Sequence, residues 1–489
     1  MYEESPITPM SYWMQNSTCD PWTDRSLPCE LGNMAPYAIN ISAPADVAAG
    51  LSFAHKNNIR VTIKNTGHDY TGKSVGKGSL AIWTHNLRDI SVIRNYSQPW
   101  HTGPALKLGS GVRGYEAYKA AHDAGLRVVG GDCPTVGIAG GFIQGGGHSP
   151  LAGYYGMASD NVLEWEVVLA NGTFVTATPG HNEDLYFALA GAGPSTFGVV
   201  TSVTLRAFQD GPVGGAQLII NREGIDNETF WKAYTYFQEE LPGLNQGRAQ
   251  TAFAVMASEL YIQAVTRPGY NETQMRQLLS NLTTKIDTLG IEYNYTVTSF
   301  PTYLDHFTQY FGPAPWGQYV VGELMTGRMI PVEVSESSTE TVVQAFRDIV
   351  DTTQIIIGST AQDVSVQPYR TPVARNAVMP GWRTALHTLL MQSYYNSSIS
   401  WPEKQALQTQ LINLAQKRID SVVPHDTGTH LNEANFSPYI DWKTQFYGSN
   451  YPELLDIKHK YDPNNIFWAV TAVGSDAMKF HEDGHLCKA

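Results

Sequence analysis

The chain has 489 residues and a formal net charge of −13, with 42% hydrophobic but only 16% charged residues, against roughly 25% charged in ordinary soluble domains. Its length implies two or three domains, its acidic balance excludes nucleic acid or an anionic membrane as partner, and no run of about eighteen apolar residues is present to span a bilayer. Ten Asn-x-Ser/Thr sequons, at Asn16, Asn40, Asn95, Asn171, Asn227, Asn271, Asn281, Asn294, Asn396 and Asn435, offer glycans as the missing solubilising surface and imply a secreted, extracellular glycoprotein; Met-Tyr-Glu-Glu-Ser has neither the basic start nor the apolar stretch of a secretory signal, so for a secreted protein a mature or recombinant form is expected.

In chain order, Cys19 and Cys29 bracket a short Pro-containing loop and read as a local disulfide. Strand-like runs follow at 37–41, 60–64 and 80–84, with a helix from Pro44 to His55 capped at Ser42, which together make a small α/β unit. Inside it lies the dense segment Lys64-Asn-Thr-Gly-His68-Asp-Tyr70-Thr-Gly-Lys-Ser74. A second α/β unit begins with a strand near Leu106, a helix from Tyr115 to Ala124 and a strand from Arg127 to Val129. There the text becomes Gly-Gly-Asp-Cys133-Pro-Thr-Val136-Gly137-Ile-Ala-Gly140-Gly141-Phe-Ile-Gln144-Gly145-Gly-Gly147-His148. A lone thiol and a histidine in a backbone so bare of side chains suit a large flat ligand lying against the main chain. Strands at Val162–Leu169 and Val199–Ala207 complete this unit.

After Asp210-Gly-Pro, strand-like and helical segments alternate without glycine clusters, at 216–220, 250–265, a helix near 274–289, 293–297, 339–352, 355–358, 386–394 and 403–422. The expected class is α+β: two α/β subdomains over residues 1–208, an antiparallel sheet covered by helices over 209–427, and a segment 428–489 that returns to the first domain. Cys487 is a tail thiol, and without C-x-x-C or H-E-x-x-H no metal site is expected.

Gly109-Ser-Gly111-Val-Arg-Gly114 competes for attention. It follows a strand, opens a helix and precedes Asp132 by about eighteen residues, as a nicotinamide-binding fingerprint does. The short strand 127–129 and the glycine belt after it count against that reading. A cysteine-nucleophile hydrolase using Cys133 and a histidine is a further alternative.

Several motifs resemble the vanillyl-alcohol oxidase/PCMH-type FAD enzymes, in their berberine-bridge-enzyme-like branch, along most of the chain. They are Thr66-Gly-His68-Asp-Tyr-Thr-Gly-Lys-Ser, Gly131-Asp-Cys133-Pro-Thr135-Val-Gly, Asn182-Glu-Asp-Leu-Tyr-Phe-Ala-Leu-Ala-Gly-Ala-Gly with Phe197-Gly198-Val199-Val-Thr201, Asn376-Ala-Val-Met-Pro-Gly-Trp-Arg383 and Tyr461-Asp-Pro-Asn-Asn-Ile-Phe467. The resemblance implies FAD tethered twice, by His68 to the flavin 8α carbon and by Cys133 to C6. Amides of Lys64, Asn65, Thr66, Gly67 and Asp69 would cradle the pyrophosphate as an anion nest. Thr135, Gly137, Gly140, Gly141, Gln144, Gly145, Gly147 and Ser149 would follow the ring and ribityl chain, Asp160 and Val162 the adenosine, and Gly198 and Val199 a later flavin turn.

For catalysis, Thr429-His430-Leu-Asn432-Glu433-Ala-Asn435 is similar to a family strand, Tyr-x-Asn-(Tyr or Glu)-x-Asp, with His430 and Asn435 as departures. Loss of the tyrosine promotes Glu433 or His430 as base, with His148 standing where plant relatives carry a tyrosine. Val136 matches the branch's gate residue, and valine there goes with oxidases that release hydrogen peroxide. Tyr70, Tyr154, Asn432 and Arg383 are candidate substrate contacts. The expected activity is oxidation of an alcohol, carbohydrate or polar aromatic, by a monomer whose partners are a small substrate and O2. A secondary-metabolite oxidase forming C–C or C–N bonds is the alternative.

Overall fold

The computed structural model describes residues 18–19, 24–315, 322–395, 399–435, 441–481 and 485–489. Strands β1 (Tyr37–Asn40), β2 (Val61–Lys64) and β3 (Leu80–Trp83) form a parallel sheet in the order β1-β3-β2, with helix α1 (Pro44–Lys56) as a crossover. The helix buries Val47, Gly50, Leu51 and Ala54, a stripe at helical spacing. Its cap differs from the expected Ser42. Ala43 holds the cap position, and the Asp46 carboxylate accepts from the Ser42 hydroxyl at 2.7 Å and from the Ser42 and Ala43 amides at 2.9 Å. An acid inside the first turn does what a capping hydroxyl would have done and complements the helix dipole.

The second unit is an antiparallel sheet of β4 (Ile90–Gln98), β5 (His101–Gly109), β9 (Val199–Arg206), β7 (Val162–Val168) and β8 (Phe174–Ala177), in that spatial order; β6 (Leu126–Arg127) pairs separately with β10 (Phe208–Gln209). Helix α2 (Gly114–Asp123) follows β5. This topology removes the nicotinamide reading of Gly109–Gly114. A dinucleotide fold needs a parallel β-α-β unit, whereas β5 lies antiparallel between β4 and β9, and β6 never joins it. The first amides of α2 are also occupied, Gly114 donating to the Val136 carbonyl at 2.9 Å and Tyr115 to the Pro134 carbonyl at 3.0 Å. Gly109 and Gly111 exist because the carbonyls of Leu87 and His85 fill the places of their missing Cβ atoms.

The third unit is a wholly antiparallel sheet in the order β14-β11-β13-β12-β16-β17-β15, built from β11 (Val213–Asn221), β12 (Gln250–Val255), β13 (Glu259–Pro268), β14 (Asn294–Phe300), β15 (Glu323–Pro331), β16 (Ile356–Gln362) and β17 (Ala385–Tyr394). The run 250–265 is thus a hairpin, turning at 256–258, and the helix expected over 274–289 is two, Glu272–Leu278 and Ser280–Asp287. One face packs on helices: Phe230, Tyr234 and Phe237 of α3 (Asn227–Gln246) and Phe346 and Ile349 of α4 (Thr339–Thr352) share a core with Phe253, Ile262, Ile357 and Leu389 of the strands. Strand alternation turns the neighbouring residues to the opposite face, where Ala252, Ala254, Tyr261, Gln263, Thr388, Leu390 and Gln392 wall a cavity.

Beyond Gly428 the chain runs beside β15. The Met329 amide donates to the Gly428 carbonyl at 2.9 Å and the Thr429 hydroxyl to that of Gly327 at 3.2 Å, while the absent Cβ of Gly327 leaves room for the Glu433 carbonyl. Helix α5 (Tyr451–Tyr461) and the residues after it bring Phe467 to a parallel bridge with Val61, in one core with Val47, Leu51 and Ile82. Cys19 and Cys29 are disulfide-bonded. Among the described residues no helix is long and apolar enough to cross a membrane.

Candidate active site

Between the two glycine-rich loops, the open face of the seven-stranded sheet and residues 430–433 lies a cavity of about 400 Å³, in the range of ligand sites. His68 and Cys133 both line it and meet through one hydroxyl: Thr135 Oγ1 lies 3.0 Å from His68 Nε2 and 3.3 Å from Cys133 Sγ. Burial holds the His68 imidazole down to about 4, so it is neutral and nucleophilic at ordinary pH. The Cys133 turn is held by the α2 amides already described, and the His68 loop by Asn432, which accepts from the Tyr70 amide at 3.1 Å and donates to the His68 carbonyl at 2.9 Å.

Asn65 is a strut beneath the glycine belt. Its amide donates to Thr84 Oγ1 at 3.0 Å and the Ser110 carbonyl at 2.5 Å, and a Cβ on Gly140 would stand 2.6 Å from its Cγ. Gly141 and Gly145 have only ordinary contacts at that position and leave backbone open to the cavity. Asp69 ties its own loop together, accepting from the Ser74 amide at 2.7 Å and the Thr71 amide at 3.0 Å. Lys73, which sequence reasoning passed over, is a buried cation on the cavity wall, its amine brought down to about 8 by burial against the pull of Asp69. A bare backbone, a buried ammonium beside the expected pyrophosphate loop and two nucleophiles facing one cavity fit FAD.

Opposite these groups, Gly146 and Gly147 turn through the left-handed region at φ +106° and +74° to deliver His148. His148 Nε2 lies 3.1 Å from Glu433 Oε1, and His430 Nδ1 lies 3.6 Å from Oε2. The Trp382 ring packs at 5.9 Å from His148 and 5.8 Å from His430. Burial opposes ionisation of Glu433, yet the two histidines outweigh it and keep the acid well below the usual carboxylate range. Burial would lower His148 as well, but Glu433 wins and raises it to about 9. The pair is therefore imidazolium and carboxylate. Tyr70, on the same wall, is held well above 10 by burial and by Glu323, Cys133 and Glu433, and stays a neutral phenol.

Several expected contacts lie elsewhere. Arg383 forks onto Asp160 at 2.7 and 2.8 Å, and Asp160 also accepts from Asn376 at 2.7 Å, outside the cavity lining. This ion pair joins the first domain to the loop before β17 and turns both side chains onto each other. Tyr154 packs at 5.7 and 5.3 Å from the Arg248 and Arg267 guanidinium carbons, also outside the lining. Val162 and Val199 are core strand residues, Ser149 accepts from the Leu151 amide at 3.1 Å, Gly147 abuts Phe142 and Ala158, and the Lys64 side chain and Thr135 likewise do not line the cavity. Thr66, Gly67, Val136, Gly137, Gln144 and Gly198 do. Asn435 is buried, accepting from Gln408 at 2.9 Å and donating to the Met325 carbonyl at 3.3 Å, which excludes a glycan on the folded chain. Asn40, Asn95, Asn171, Asn227, Asn271, Asn281 and Asn294 are exposed, and Asn16 and Asn396 lie outside the described residues.

Residues 36–178 match the family model of the FAD binding domain, and residues 412–474 that of berberine and berberine-like proteins. A VAO-type flavoprotein oxidase, VAO615 of Thermothelomyces thermophilus, is 41% identical over 487 residues, covering 99% of this chain and 84% of its own. The bifunctional decalin synthase calF of Penicillium decumbens is 41% identical over 478 residues, covering 97% and 82%. The crystal structure of the VAO-type flavoprotein MtVAO615 from Myceliophthora thermophila C1 superposes with a TM-score of 0.93 at 40% identity, covering 99% of this chain and 88% of that one.

Proposed function

This chain belongs to the berberine-like, VAO-type FAD-linked oxidoreductases, and on that premise we propose that it is an oxidase of an alcohol-type substrate, with FAD tethered at His68 and Cys133. FAD, when bound, supplies the hydride acceptor and hands the electrons on to O2, which leaves as hydrogen peroxide. The observation that carries the reading is the buried Glu433–His148 pair in the same cavity as His68 and Cys133. Glu433 takes the hydroxyl proton of the substrate, His148 holds the carboxylate in place and ionised until then, and the Tyr70 phenol donates to the substrate oxygen.

The sheet wall sets Ala252, Ala254, Gly358 and Leu390 beside Tyr261, Gln263, Thr388 and Gln392, a surface of mixed polarity. We place a polar aromatic alcohol ahead of a sugar because the likeness to a decalin synthase points towards oxidation in secondary metabolism. A peroxide-coupled screen of sugars, phenols and apolar alcohols separates these classes. Turnover of sugars alone would overturn the preference. Seven exposed sequons and the Cys19–Cys29 disulfide support a secreted glycoprotein.

Intact mass of denatured, deglycosylated protein is expected to exceed the chain mass by one FAD. In Cys133→Ala the added mass should persist through His68 while the visible spectrum changes, and an unchanged spectrum would remove the second tether. Val136, which lines the cavity three residues after Cys133, should act on the oxygen half-reaction. Val136→Leu is expected to slow reoxidation by O2 more than reduction by substrate in stopped flow, and equal slowing argues against a gate.

A further inference from the structure

We propose that Asp132 is a positioning residue for the His148–Glu433 pair, taking up the Nδ1 proton of His148 when Glu433 is protonated by substrate. Gly131 and Gly147 press on one ring, since a Cβ on either would lie 2.9 Å from Phe142 ring carbons. The loops carrying Asp132 and His148 therefore flank Phe142, and both residues line the cavity. Each holds one buried polar atom without a hydrogen-bond partner, Asp132 Oδ1 and His148 Nδ1. An orphan acceptor and an orphan donor brought into one buried space are complementary, and native interiors seldom leave either unmatched. His148 Nε2 is already engaged by Glu433 at 3.1 Å, so Nδ1 is the nitrogen from which a proton can leave.

The surroundings agree. Burial, with Glu433 adding and His148 opposing, raises the Asp132 carboxyl to about 6. Tyr118 and Tyr303 face it as neutral phenols, both raised well above 10, and the Tyr118 hydroxyl donates to the Gly131 carbonyl at 2.6 Å. Cys133 is its chain neighbour. His148 faces Glu433, Asp132, the His430 ring at 5.1 Å and Trp382. Glu433 faces the two histidines, Tyr70 and the Glu323 carboxyl, which burial raises to about 7 against its hydrogen bond to Gln392.

Resting on the reading of Glu433 as base, the step balances as follows. The substrate O–H bond breaks and its proton bonds to Glu433. His148, now beside a neutral acid, loses its Nδ1 proton to Asp132, whose Oδ1 has no hydrogen bond to Nδ1 in the resting pair and must close on it for the transfer. The protein gains one proton in all, carried as a second neutral carboxyl while the imidazole becomes neutral. This prevents an imidazolium from being stranded without its counterion in a low-dielectric site.

The test is an NMR titration of the His148 ring in 15N-histidine-labelled holoenzyme, assigned by loss of the signal in His148→Gln. Wild type should show a second inflection near pH 6 as Asp132 titrates. In Asp132→Asn that inflection should vanish and the His148 midpoint fall by about one pH unit, a tenfold loss of proton affinity, with both restored in Asp132→Glu. An unmoved midpoint in Asp132→Asn overturns the proposal. Absence of the wild-type inflection overturns it too and needs no variant to fold. Intact mass and the visible spectrum of the same sample report tethered and total FAD separately, so coupling in a chain without any flavin would defeat the oxidase reading and leave the Asp132–His148 pair standing.

Discussion

Glu433→Gln is expected to slow substrate-driven flavin reduction by at least about a hundredfold. The amide keeps the size of the side chain and the shape of the cavity, but it can neither accept the alcohol proton nor hold His148 as an imidazolium. Without the carboxylate at 3.1 Å, burial acts on His148 opposed by Asp132 alone, and its titration should drop from about 9. Because the interaction forms with the transferred proton, kcat should fall far more than KM changes. Anaerobic stopped flow that follows bleaching of the flavin measures this directly. A near-normal rate would move the base to His430, whose Nδ1 lies 3.6 Å from the same carboxylate, and a further loss in Glu433→Gln/His430→Gln would confirm that move.

The parts of this site legible in the sequence are those whose chemistry is written locally. Glycine runs around His68 and Cys133 announce a backbone pressed on a ligand, and a departure from a family motif singled out His430 and Glu433. What escaped depends on distant partners. Arg383 stands in a family motif and Asp160 just before the strand that follows the glycine belt, which suggests ligand contacts, yet these two residues, 223 positions apart, hold each other. Asn435 satisfies a three-residue sequon, but the hydrogen bonds that bury it come from Gln408 and Met325. Lys73 carries no sign of burial in its neighbours, and Asp132 was weighed only as part of a nicotinamide fingerprint.

The fold follows the same division. Helix α3 passed unread although it is 20 residues long, because it opens on an Asn-Glu-Thr sequon and carries Pro242 and Gly243 near its end; its apolar face of Phe230, Tyr234 and Phe237 is meaningful only against the sheet. The 250–265 hairpin turns at Met-Ala-Ser, without the glycine, proline or asparagine that marks a turn. The antiparallel class was readable nonetheless, because strand-like runs without glycine clusters recur after residue 210.

Asp462→Ala is expected to destabilise the protein by about 3–5 kcal/mol, the usual cost of leaving one partner of a buried ion pair alone. Lys458 and Asp462 are both essentially inaccessible, and the ammonium uses its three donors on Asp462 Oδ2 at 2.6 Å, the Phe467 carbonyl at 2.7 Å and the Thr196 carbonyl at 2.9 Å. Asp462 in turn accepts from the Ile466 amide at 2.9 Å and the Phe467 amide at 2.8 Å. The pair thus fixes the turn that carries Phe467 onto Val61, at the start of the strand whose end leads into the His68 loop. Urea unfolding should show the loss, and bound flavin per chain should fall with it, because the pyrophosphate loop loses its support. Lys458→Met is expected to cost less, since Asp462 keeps two amide donors, and Lys458→Met/Asp462→Leu less than Asp462→Ala alone, since no charge is then buried unpaired. A double variant as unstable as Asp462→Ala would place the stabilisation in packing around the turn instead of in the charge pair.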